Sequence, residues 1–239
     1  MNLSEAEYKT LLILTRYDKP IGSGTISSKI TEDKSIDESL SEATVGRLLR
    51  GLDHKGYTEK VGFQGRKVTK EGKRIIEKYQ IEKEKKKEME KFINLSRAEK
   101  KDELLDLLVA RRAIESETAR LAAMNASEQD VNLLRNIINV ETGLKGTQID
   151  VKFHRTLADI SGNESLTTVL KLIKTDHYFN PIFEYMQEKI GHKITRDHKE
   201  ILKAISANDP SRAESAMVEH INNTIDDVNQ YWQAAKDQA

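Results

Sequence analysis

The sequence predicts a mainly α-helical protein in two parts. Three short helices closed by a β-hairpin come first, and an all-α antiparallel helical bundle follows. Three observations lead there. The first 80 residues alternate short helical runs with glycine-marked breaks and two strand-like runs. From Ser96 onward every apolar pattern has helical spacing. The 239 residues are 33% charged, with only 12 Gly and 3 Pro, the composition of a highly charged, largely helical chain. The expected boundaries are 1–80 for the hairpin-closed unit, 81–95 for a helical linker and 96–239 for the bundle.

Composition also excludes chemistry. There is no cysteine, so disulfides, zinc-thiolate sites and thiol catalysis are ruled out. The opening Met1-Asn2-Leu3-Ser4-Glu5 lacks the basic-then-apolar pattern of a signal peptide. No stretch approaches the roughly 18 apolar residues of a membrane span. A cytoplasmic protein with no membrane partner is expected. Lys+Arg and Asp+Glu balance at 39 each, but Ser41–Gln80 holds ten basic residues against five acidic ones. A basic patch near one end points to nucleic acid there.

Leu3 to Arg16 reads as a helix, with Ser4 and Glu7 forming a capping box and Tyr8, Leu11, Leu12 and Thr15 sharing a face. Asp18-Lys19-Pro20 stops it. A short helix covers about Thr25 to Ile30. A third, from Ser41 to Lys55, is capped by Ser41 and buries Val45, Leu48, Leu49 and Leu52. Gly56 ends it. Tyr57–Val61 and Arg66–Thr69 are strands around the turn Gly62-Phe63-Gln64-Gly65, and a further helix opens at Thr69.

Helix, short helix, helix and hairpin in that order is a winged helix-turn-helix. Such a unit places its third helix in the major groove of double-stranded DNA and its wing along the sugar-phosphate backbone. The candidate DNA contacts are Ser41, Thr44, Arg47 and Arg50 on the helix, and Gln64, Arg66, Lys67 and Lys70 at the wing. The competing reading is a winged helix used for protein contact, its basic residues merely solvated. His54 reads as a surface histidine. The runs Leu52-Asp53-His54-Lys55-Gly56-Tyr57 and Gly65-Arg66-Lys67-Val68-Thr69-Lys70-Glu71-Gly72 resemble the winged helices of archaeal-type regulators, including archaeal nitrogen-regulation repressors.

Ile81 to Lys91 carries mixed charges at i,i+3 and i,i+4, which suits a solvated helix. A DNA-facing basic segment is the second reading. Ser96 is the expected N-cap of the next helix. The bundle helices are expected at about 96–124, 127–142, 147–161, 164–178, 181–207 (broken near Gly191) and 211–235, with breaks at Gly143, Gly146, Gly162-Asn163, Asn180-Pro181 and Asn208-Asp209-Pro210.

Four of these helices carry a polar residue at or beside an apolar position. Arg111 falls in the stripe Leu104, Leu107, Leu108, Ile114, Thr118, Leu121. Asp150 and His154 border Phe153, Leu157 and Ile160. His198 lies among Ile194, Ile201 and Ile205, and His220 among Ala213, Met217, Ile221, Thr224 and Val228. Asp150 and His154 alone are an i,i+4 pair of a kind that arises by chance on a polar surface, and a lone core histidine is often simply hydrogen-bonded. Burying an unpaired polar group costs a few kcal/mol, so four independent instances are less economical than one shared site. One carboxylate and three imidazoles suit a divalent ion such as zinc, nickel, manganese or iron. Arg111 could then hold a carboxylate by a two-pronged hydrogen bond.

The same residues carry a second resemblance. Leu108-Val109-Ala110-Arg111-Arg112-Ala113-Ile114-Glu115 with Leu121-Ala122-Ala123 looks like the opening helix of the FCD domain, the effector-binding half of FadR-type regulators of the GntR family. Asp150-Val151-Lys152-Phe153-His154, Ser161-Gly162-Asn163, Asp197-His198-Lys199-Glu200-Ile201 and Val218-Glu219-His220-Ile221 are similar to its later motifs. The resemblance implies that Asp150, His154, His198 and His220 are metal ligands and that Arg111 is an effector contact. It further implies a homodimer binding a small organic acid. His177 and His192 have no counterpart in those motifs, and Asn163 reads as a turn residue. The reader half departs from the family: Glu42-Ala43-Thr44-Val45-Gly46-Arg47 stands where a V-S-R-x-x-V-R segment is usual. The expected function is a ligand-responsive transcriptional regulator, acting as a repressor, and not an enzyme. The alternatives are a metal-sensing regulator and a metal-dependent hydrolase.

Overall fold

The order begins at Ser4, whose hydroxyl accepts from the Glu7 amide while the Glu7 carboxylate accepts from the Ser4 amide, closing the expected capping box at the head of α1 (Glu5–Thr15). The computed structural model describes residues 3–32, 40–96, 100–139, 146–174 and 195–236. The chain forms two units, Met1–Met89 and Glu90–Ala239.

In the first unit α1 is followed by α2 (Ser23–Glu32) and α3 (Glu42–His54). Ser41 caps α3 as expected, accepting from the Thr44 amide. Strands β1 (Thr58–Val61) and β2 (Gly65–Val68) pair antiparallel, with Thr58 opposite Val68 and Lys60 opposite Arg66. Ile21 adds a bridge to Arg66 on the outer edge of β2, a third strand position the sequence did not suggest. The buried arc of α1 is wider than the expected face: Thr10, Leu11, Ile13 and Leu14 are buried and Thr15 is exposed. The reason is that α1 touches α2, α3 and β2 at once. Ile13, Leu14, Ile26, Ile30, Val45 and Leu49 form one core cluster, and Leu11, Leu52, Tyr57 and Ile76 belong to a second.

The helix after the wing, α4 (Lys70–Ser96), runs without a break through the charged connector. Ser96 is therefore the last residue of α4 and not the N-cap of the next helix. That helix, α5 (Lys101–Asn125), starts after Lys100 with no side-chain cap. The i,i+3 and i,i+4 charge pairing of the connector favours continuing the helix through 81–91, and α4 ends only at Ser96.

The second unit is all α: α5, α6 (Glu128–Asn139), α7 (Gly146–Ile160), α8 (Glu164–Lys174), α9 (195–206) and α10 (Pro210–Lys236). Its breaks are chemical. Ser127 and Asp130 cap α6 reciprocally, Asn163 Oδ1 accepts from the Ser165 and Leu166 amides, and Asp209 accepts from the Arg212 amide just before Pro210 enters the first turn of α10. Asn163 is thus the turn residue expected. Helix α5 packs along α10 and α7, and α7 also meets α6 and α8. Leu104, Leu108, Phe153, Leu157, Ile201, Ile205 and Ile221 are fully buried between them. The expected break near Gly191, together with His177, His192 and Ile194, lies outside the described residues. Among the described residues no helix is long and apolar enough to cross a membrane.

Candidate metal centre

Helix α7 places Asp150 and His154 on one face, one turn apart. Helix α9 brings His198 and α10 brings His220 to the same point. One ligand atom from each of the four residues lies within 4.8 Å of every other. Asp150 Oδ1 stands 3.3 Å from His154 Nε2, 3.3 Å from His198 Nε2 and 4.0 Å from His220 Nε2. The Nε2 atoms of His154 and His220 face each other at 3.2 Å. All three imidazoles are buried, and Asp150 is half-buried.

The outer atoms of these rings are held from two sides. Glu115, on α5, presses Oε2 against His154 Nδ1. Its other oxygen accepts from Arg111 Nε at 2.6 Å. Asp197 Oδ2 lies 3.6 Å from His220 Nδ1 and accepts from Asn223 Nδ2 at 2.9 Å. Carboxylates on Nδ1 favour the tautomer with hydrogen on that nitrogen and leave Nε2 as a lone pair. Two lone pairs 3.2 Å apart, beside a carboxylate oxygen, repel one another. The Nε2 of His198, 3.3 Å from Asp150 Oδ1, is a buried nitrogen that makes no hydrogen bond among the described residues. A donor set of this kind fits a divalent cation, which would be held by Asp150, His154, His198 and His220.

The electrostatics agree. Burial, reinforced by the neighbouring imidazoles and opposed by Asp150, pushes His198 down to about 3. Burial also lowers His220, against the pull of Asp197. Neutral imidazole is the ligating form. Burial works against the Arg111 charge too, but Glu115 and Asp150 outweigh it and raise its proton affinity further. Asp197 loses some carboxylate character to burial, yet its contacts with His220 and Asn223 bring it below the ordinary range. The Phe153 ring stacks on His198 with centroids 4.3 Å apart, which holds that imidazole in place.

Arg111, expected as an effector contact, is buried and tied to Glu115. Sequence reasoning attached no role to Glu115 or Asp197. The signals present were the place of Glu115 on the stripe Leu104, Leu108, Arg111, Thr118 and the place of Asp197 next to His198, neither of which says what the carboxylate meets. In the winged unit Arg47 and Arg50 are exposed on α3, and Gln64 and Lys70 are exposed at the wing and the start of α4. Thr44 and Lys67 are half-buried, and the Ser41 hydroxyl is engaged in the cap and in a 2.9 Å contact with Thr44 Oγ1. Arg66 Nε donates to Asp53 Oδ2 at 2.8 Å, so its side chain braces the wing.

Comparison with known proteins gives two family matches: residues 106–223 match the FCD domain, and residues 9–76 match the Ribonuclease R winged-helix domain. The Exu regulon transcriptional regulator of Escherichia coli is 32% identical over 126 residues, covering 50% of this chain and 49% of its own length. The HTH-type transcriptional regulator LutR of Bacillus subtilis is 28% identical over 144 residues, 56% of this chain and 66% of its own. The chain thus spans about half the length of the first relative. A solved GntR structure from Streptococcus agalactiae covers 92% of this chain and 98% of its own at 20% identity, with a TM-score of 0.45.

Proposed function

We propose that this chain, whose C-terminal half carries an FCD domain, is a ligand-responsive DNA-binding regulator of the FadR-type branch of the GntR family, with a reader domain of archaeal type. It acts as a repressor and as a homodimer in the cytoplasm. The convergence of Asp150, His154, His198 and His220 from three helices onto one buried point is the observation that carries the sensing half of the reading.

Ser41, Thr44, Arg47, Arg50, Gln64, Arg66, Lys67 and Lys70 meet the operator. Phosphate contacts from the basic residues supply affinity and salt dependence, and base contacts supply sequence preference. Asp150, His154, His198 and His220 hold a divalent ion. When bound, that ion supplies a Lewis-acidic platform for a small organic acid. The positive charge of Arg111, secured by Glu115 and Asp150, attracts the effector's carboxylate. Ligand binding biases the arrangement of the two reader domains, and the operator is released or held as their spacing departs from or fits its half-sites.

Elemental analysis and native mass spectrometry of the purified protein test this directly. A divalent metal at one per chain and a co-purifying small carboxylic acid are expected. Gel-shift titrations unchanged by metal removal and by a pool of small carboxylates would overturn the sensing half. A second reading, in which the ion itself is the signal, is favoured by the engagement of Arg111 with Glu115. An Arg111→Ala variant that keeps its metal and its full response would establish it.

A further inference from the structure

Phe63 is the most exposed large apolar side chain among the described residues, fully in water at the tip of the wing. Leaving a phenylalanine in solvent forgoes about 1.5–3 kcal/mol available from burying it, and a four-residue turn needs no aromatic ring. The other apolar residues of the wing point the opposite way: Tyr57 is buried, and Val61 and Val68 are half-buried.

The tip is held on a stiff base. Gly62 and Gly65 have φ of +53° and +127°. A Cβ at Gly65 would lie 2.2 Å from the Ile21 carbonyl oxygen, so the strand sits directly against that segment. Backbone hydrogen bonds of 3.3 Å and 3.0 Å join Ile21 and Arg66 in both directions, and Arg66 is clasped by Asp53. The flanks are polar and basic: Lys60 and Gln64 are exposed, and Lys67 and Lys70 follow. An apolar ring at the end of a braced arm, between groups suited to phosphates, matches the chemistry of side chains that part stacked bases.

We infer that Phe63 is a wedge that enters the minor groove of duplex DNA beside the segment read by α3 and partly unstacks one base step. It favours a flexible pyrimidine–purine step, where unstacking costs least. The wedge therefore adds a bend and a sequence preference at a position that no hydrogen-bonding side chain reads. The inference rests on the DNA-binding reading of the winged unit.

The test uses the full-length protein and a duplex pool selected by it from random sequence. Phe63→Ala is expected to lower affinity for the selected duplexes by about tenfold, the scale of one lost base–aromatic contact. It should reduce the bend seen by phased-duplex mobility and remove the enriched pyrimidine–purine step from a repeat selection. The slope of affinity against salt should be unchanged, because no phosphate contact is lost. Phe63→Trp should keep the bend. The side chain is solvated, so thermal stability should match the parent and exclude misfolding. If Phe63→Ala retains affinity, bend and preferred step, the wedge is overturned while DNA binding stands. If the parent protein selects no duplex, the DNA-binding reading and the wedge fail together. If it selects duplexes but Phe63→Ala loses only a protein contact, Phe63 serves a protein partner and the wedge is wrong.

Discussion

Glu115→Gln separates two jobs done by one buried side chain. The substitution keeps the shape but removes the charge between Arg111 and His154. The Glu115 side chain is 1% exposed and that of Arg111 is 5% exposed, so the guanidinium has little water to fall back on. Breaking a buried ion pair by neutralising one partner costs about 3–5 kcal/mol. Asp150 still acts on Arg111 and the glutamine can accept one hydrogen bond, which places the loss near the lower end, about 3 kcal/mol. The same change removes the carboxylate behind His154 Nδ1, and loss of such a partner lowers metal affinity about 10- to 100-fold. Asp197→Asn is the control. It removes the carboxylate beside His220, but the other partners there are the neutral Asn223 and Arg196, which is 3.6 Å away and 71% exposed, so no buried charge is left unpaired. It should weaken metal binding to a similar degree and cost only about 1 kcal/mol of stability. Urea unfolding of the chelator-stripped protein reads the first quantity, and competition against a chromophoric chelator reads the second. If Glu115→Gln unfolds with a loss below about 1 kcal/mol and binds metal as the parent does, the Arg111–Glu115–His154 chain does not support the site.

Two further outcomes follow from the winged unit. The hydroxyl of Tyr79 donates to Glu5 at 2.6 Å; this bond raises Tyr79 from 10.0 to about 12 and, as the leading cause, lowers Glu5 from 4.5. A raised tyrosine stabilises the fold below its unfolded value and is lost as pH rises from 10.0 through about 12, while a lowered glutamate stabilises above 4.5 and is lost as pH falls. Tyr79→Phe should therefore reduce stability near neutral pH by about 1 kcal/mol, and flatten both the acid and alkaline limbs in denaturation measured across pH. Gly65→Ala forces a side chain into a φ of +127° and against the Ile21 carbonyl. It should cost more than about 2 kcal/mol and expose the Ile21 and Arg66 amides to hydrogen exchange, while Gly22→Ala, with open space around it, should not move those amides.

The expected helices were legible where the polar and apolar pattern agreed with local chemistry. Ser4, Ser41 and Pro210 stand where capping and first-turn preferences put them. Ser96 failed as a cap because α4 extends to it and α5 starts only after Lys100, so the serine closes one helix instead of opening the next. The breadth of the α1 core face was not visible either, since burial on several sides depends on which elements surround the helix.

The four clustered residues were visible in the sequence for a local reason. A histidine or carboxylate at or beside a position that its own helix would bury is a conflict readable from spacing alone, without knowing what lies opposite. Which carboxylates stand behind the imidazoles is another matter. Glu115 and Asp197 stand inside the motifs that resemble the FCD domain, but their spacing does not say which ring each one backs, and only the packing of α5 on α7 and α10, and of α9 beside α10, turns them toward His154 and His220. Likewise the bracing of the wing by Ile21 and Asp53 joins positions distant in sequence. Helical periodicity records that a residue is turned inward; what meets it there is a property of two chain segments together, and that was decided by the tertiary structure.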